Sequence, residues 1–91
     1  MNNVLKILIV EDDEDTREAL VLLLKRRGHN ILEASKGAEA VDIIEKEKPD
    51  MVFLDIKLAD NMDCMQVLKE SRRISPQTEV VMMSAYQAEH E

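Results

Sequence analysis

The chain has little of what several function classes require. Cys64 is its only cysteine in 91 residues, so no disulfide can form within it. That usage suits a reducing compartment, and Cys64 itself reads as a small side chain near a helix start. No apolar run approaches the roughly 20 residues of a membrane span. The opening Met1-Asn2-Asn3 carries no charged-then-apolar signal, so the expectation is a cytoplasmic chain that nothing directs to secretion. Positive charge is also scarce. Twelve Lys and Arg face nineteen Asp and Glu, and a net charge of −7 argues against the basic stripe that nucleic acid needs. The two histidines, His29 and His90, have no metal-ligand spacing, so a zinc site is not expected. His29, directly after Gly28, reads as a surface turn residue. There are no repeats, linkers or low-complexity tracts, and residues 1–91 read as one domain.

What is present is a regular alternation. Apolar residues make up 45% and charged ones 34%, a balance that fits one small folded domain rather than a disordered chain. Residues 5–10, 30–34, 51–54 and 79–83 read as strands. Residues 15–27, 37–47 and 64–73 read as helices. Gly28 stops the first helix, whose last turn holds Lys25, Arg26 and Arg27, where cations suit the helix dipole. Pro49 ends the second, because the residue before a proline avoids helical angles. Strands joined by helical crossovers imply a parallel sheet with right-handed connections, an α/β fold. The strands are nearly unbroken apolar runs, as expected where both faces are covered. In the first helix, Leu20-Val21-Leu22-Leu23-Leu24 go more than once round the axis. One face cannot bury all five, so the helix is expected to meet the sheet and a second element.

Two strands end in acid. Ile7-Leu8-Ile9-Val10 runs into Glu11-Asp12-Asp13, and Met51-Val52-Phe53-Leu54 runs into Asp55. The carboxyl rim of an open parallel sheet is where ligands bind, and acids converging there repel one another unless a cation lies between them. Glu11, Asp12 and Asp55, with a backbone carbonyl just after Asp55 for which Lys57 is the choice, offer oxygen donors that suit Mg²⁺. Asp55 is then a candidate nucleophile, since carboxylates form aspartyl-phosphates. Ser84, at the end of the fourth strand, offers a hydroxyl that could meet a phosphoryl group. Asp13, Glu14 and Asp15 read instead as a solvated helix start, with Asp13 or Asp15 as its cap.

At these residues the chain resembles the receiver domain of bacterial two-component response regulators. The matching stretches are Lys6 to Asp13, Pro49 to Asp55 and Val80 to Ala85, within a resemblance running from about residue 4 to 86. The resemblance implies a flavodoxin-like three-layer sandwich with strand order 2-1-3-4. It implies that Asp55 accepts a phosphoryl group from a sensor histidine kinase, that Glu11, Asp12, Asp55 and the Lys57 carbonyl hold Mg²⁺, and that Ser84 responds to the phosphoryl group. It further implies a signalling switch, not an enzyme.

The chain departs from the family pattern in three places. Ala59 stands where the family usually has proline, and the loop from Ala59 to Cys64 lacks the usual glycines. The sequence stops after the fourth strand, so the last helix, strand and helix, about 35 residues by ordinary element lengths, have no counterpart. The family's phosphoryl-contacting lysine and its switching aromatic residue lie in that part. This truncated receiver is expected to self-associate through the exposed fourth-strand edge and first helix. Two other readings stand beside the switch: a scaffold or dimerisation module that keeps the fold without phosphorylation, and a metal-dependent phosphohydrolase. The last usually pairs acids two apart, where this chain has Lys57.

Overall fold

In the computed structural model the described residues are 3–57 and 64–83. The apolar runs form four strands: β1 (Lys6–Val10), β2 (Asn30–Ala34), β3 (Met51–Asp55) and β4 (Glu79–Met83). Between them lie α1 (Glu14–Arg26), α2 (Gly37–Glu47) and α3 (Cys64–Ile74). The strands form one parallel sheet in the order β2-β1-β3-β4, the flavodoxin-like order that the family resemblance implies.

Register divides the side chains between two layers. Leu8 pairs with Val52 and Val10 with Leu54. These four side chains are fully buried with Ala40 and Ile44 of α2 and Val67 of α3. The alternate residues Ile7 and Ile9 pack on the opposite face with Val21, Leu20 and Leu24 of α1 and with Met51 and Phe53 of β3. Odd-numbered residues of β1 and β3 therefore face α1, and even-numbered ones face α2 and α3, because strand side chains alternate. Each fully buried aliphatic side chain contributes roughly 1.5–3 kcal/mol.

The ends of the elements have local causes. The Asp13 carboxylate accepts the Thr16 N–H at 2.9 Å and its hydroxyl at 2.6 Å, capping α1, so the helix starts at Glu14, one residue earlier than the sequence suggests. It ends at Arg26, with the Gly28 N–H donated to the Lys25 carbonyl. Gly28 sits at φ +93°, a conformation L side chains rarely adopt. Lys48, before Pro49, leaves α2 in the left-handed region (φ 45°, ψ 61°) and donates its N–H to the Ile44 carbonyl. Just before β3 and β4 begin, the Thr78 hydroxyl donates to the Pro49 carbonyl at 2.5 Å and lies 2.7 Å from the Ser75 hydroxyl, both buried. Asp50 accepts the Lys6 N–H on its carboxylate and the Glu79 N–H on its carbonyl, fastening the starts of β1, β3 and β4 together.

The second contact expected for α1 is absent among the described residues. Leu20, Val21 and Leu24 meet the sheet, while Leu22 and Leu23 are 56% and 48% exposed. Strand β4 is an edge of the described sheet. No helix among the described residues is long and apolar enough to cross a membrane. His29 is half-buried rather than a plain surface turn residue: its Nδ1 accepts the Leu5 N–H at 3.1 Å. The loop beside Cys64, residues 58–63 with Ala59, lies outside the described residues, as do Ser84 and His90.

Candidate metal and phosphoacceptor site

Strand parity builds the site. Glu11 directly follows β1 and Asp55 closes β3, each the next odd residue after Ile9 and Phe53. Both therefore fall on the α1 side, at the carboxyl rim, one strand apart. Asp55 belongs to β3 itself, paired with Met83 of β4, rather than to the loop beyond it. Both acids are 4% exposed, and Asp12 is open to solvent. Carboxylate oxygens of Glu11, Asp12 and Asp55 lie within 4.8 Å of one another.

The two buried acids are held from the backbone. Asp55 Oδ1 accepts the Lys57 N–H at 3.0 Å, which fixes the rotation of the carboxylate. Glu11 Oε2 accepts the Asp13 N–H at 3.0 Å. The Glu11 N–H is donated to the Ala34 carbonyl of β2 at 3.0 Å. Its own carbonyl accepts Arg17 Nη1 at 2.9 Å, and Arg17 Nε reaches Glu33 Oε1 at 3.1 Å.

Burial pushes the Glu11 carboxyl up to about 7 from its ordinary 4.5. The Asp13 N–H opposes the rise, while a hydrogen bond with Asp55 and the negative charges of Asp55 and Asp12 add to it. A proton on Glu11 thus relieves a concentration of negative charge, which a cation would relieve as well. The donors are hard oxygens at the spacing of a shared ion, so the residues fit a small divalent cation such as Mg²⁺. Asp13 stands apart from this group: the hydroxyl and N–H of Thr16 hold its carboxyl below the usual range, and it serves as the helix cap.

The structure brings together three of the residues expected from the sequence, Glu11, Asp12 and Asp55, with Lys57 in the turn that follows. Ser84 lies outside the described residues. Arg17 was missed. The available signal was that it is the lone cation between Glu11 and Leu24.

An open parallel sheet in this order, with an acidic pocket at its switch point, is the architecture of a signalling receiver. The model of the response regulator receiver domain matches residues 7–91. The chain belongs to the response regulator receiver domain family, the phospho-accepting switches of two-component signalling. Among its relatives is sporulation initiation phosphotransferase F of Bacillus subtilis (strain 168), 38% identical over 81 residues, which cover 89% of this chain and 64% of that protein. Another is the alkaline phosphatase synthesis transcriptional regulatory protein PhoP of the same organism, 36% identical, with 88% of this chain and 33% of that protein covered. The N-terminal domain of a response regulator/sensory box/GGDEF 3-domain protein from Carboxydothermus hydrogenoformans superposes with a TM-score of 0.83 at 32% identity, over 89% of this chain and 65% of that one. The chain thus spans just under two thirds of the first of these relatives and a third of the second.

Proposed function

We propose that Asp55 accepts a phosphoryl group from a sensor histidine kinase, with Mg²⁺ held by Glu11, Asp12, Asp55 and the Lys57 carbonyl. The observation that carries the reading is the meeting of three carboxylates within 4.8 Å at the sheet rim, one of them the strand-end Asp55. An Asp55 carboxylate oxygen attacks phosphorus, the bond from phosphorus to the donor's histidine nitrogen breaks, and that nitrogen leaves with the electron pair. The Lys57 N–H supports this step by holding the carboxylate in one orientation. Mg²⁺, when bound, supplies positive charge to the acids and to the phosphoryl oxygens. The Ser84 hydroxyl is assigned the response to the phosphoryl group.

In this reading the chain is a cytoplasmic switch that is itself modified, not a turnover enzyme. Self-association is supported by the exposed Leu22 and Leu23 of α1 and by β4, an edge of the sheet among the described residues, and a concentration-dependent mass by sedimentation is its expected sign.

The test of the switch is intact mass after incubation with Mg²⁺ and a small-molecule acyl phosphate. One added phosphoryl group is expected, lost in Asp55→Asn and abolished by a chelator. A folded sample that gains no mass would refute the switch and leave the scaffold reading.

A further inference from the structure

Arg17 is the fourth residue of α1. Its N–H is donated to the Asp13 carbonyl at 2.9 Å, closing the start of α1. Its side chain turns back across the loop. Nη1 donates to the Glu11 carbonyl at 2.9 Å, and Nε donates to Glu33 on β2 at 3.1 Å. The arginine side chain is 17% exposed, against 45% for Glu33. The pair with Glu33 is exposed and by itself contributes little, whereas the bond to the Glu11 carbonyl is part-buried.

The carbonyl that Arg17 holds belongs to the peptide joining Glu11 to Asp12. On its other side Glu11 is held by its N–H to Ala34 and by its carboxylate to the Asp13 N–H. With the Arg17 bond in place, every backbone polar group of Glu11 has a partner. A peptide is planar, so fixing its carbonyl fixes the direction in which the Asp12 Cα leaves the strand. Asp12 is the exposed member of the three acids.

We propose that Arg17 is a positioning residue for the acidic pocket: its guanidinium, braced on Glu33, fixes the Glu11–Asp12 peptide and so aims the Asp12 carboxylate at the shared cation site. This deepens the proposed function and rests on its metal-site reading. The planar fork of an arginine spans both acceptors at once, which the single ammonium of lysine does not. Residues that orient metal ligands from behind typically change metal affinity by about 10–100-fold when removed.

The test titrates Mg²⁺ alone into the wild-type chain and into Arg17→Gln, Arg17→Lys and Glu33→Gln, by calorimetry and by amide NMR. Denaturation without metal, run in parallel, measures stability. The expected result is Mg²⁺ affinity lower by about 10–100-fold in both Arg17 variants, with a smaller loss in Glu33→Gln. In metal-free protein the Glu11 carbonyl and Asp12 amide resonances should shift while those of β3 and β4 stay in place. Variants that lose stability but bind Mg²⁺ as tightly as wild type would overturn the proposal, and so would full recovery of affinity by lysine. Wild-type protein that takes up no Mg²⁺ would overturn the metal-site reading itself. The metal-free spectra then decide the Arg17 tie: shifted Glu11 and Asp12 resonances uphold it, and unaltered ones overturn it.

Discussion

Replacing Glu11 by glutamine should make the metal-free protein more stable at alkaline pH, although the residue is buried and well bonded. The folded carboxyl titrates at about 7 and the unfolded one at 4.5. Between those values the folded state keeps a proton that the unfolded state has released. Stability therefore falls as pH rises, the reverse of the usual salt-bridged carboxylate. From about pH 5 to about pH 8 the group should cost the fold roughly 2.5 kcal/mol, at 1.36 kcal/mol per unit of pKa difference. That is a large part of the roughly 5–15 kcal/mol by which a domain is ordinarily stable. Glu11→Gln removes the titration, and its profile over this range should be flatter by about that amount. The assay is urea denaturation followed by circular dichroism across the pH range, with and without Mg²⁺. Added Mg²⁺ should restore the wild type at high pH and help the variant less, since glutamine brings no charge to the ion. The same linkage makes Mg²⁺ binding release a proton from Glu11 when the pH lies below about 7. A wild-type profile that is flat over this range, or one that Glu11→Gln leaves unchanged, would refute the reasoning.

Two stability predictions lie away from the site. Gly28→Ala meets no atom within 4 Å, so its penalty is that of the backbone at φ +93° alone; a loss of about 1–2 kcal/mol is expected by urea denaturation, with a smaller loss for Gly28→Asn. Thr78→Val leaves the buried Ser75 hydroxyl and Pro49 carbonyl without their shared partner, and should cost about 1–3 kcal/mol with an unchanged denaturant slope.

The sheet was legible in the sequence because each strand is a short apolar run bounded by polar residues, and the crossovers have helical spacing. The acidic site was legible for a related reason: acids that abut buried strands have nowhere to go but the rim. The residues that went unread share a different trait. Arg17 acts on a carbonyl six positions back and on a carboxylate in another strand, and both partners depend on how α1 lies across the sheet. The Leu5 N–H reaches His29 only after β1 and β2 have paired. Lys48 exits its helix through the left-handed region rather than an extended one, since a helical carbonyl still claims its N–H. Helix boundaries moved by a residue where capping chemistry, not apolar spacing, set the end: Asp13 claims Thr16, so α1 opens at Glu14.

The alternation along β1 and β3 has a consequence for how such a chain can vary. Leu54 lies in the core with α2 and α3, and Asp55, its neighbour, lies in the acidic pocket on the other face. A substitution at an even position changes packing and leaves the acids where they are. Inserting or deleting one residue within either strand would exchange the two faces, turning Glu11 or Asp55 into the aliphatic layer. Side-chain identity along these strands is thus a matter of packing, while strand length is held by the chemistry at their ends.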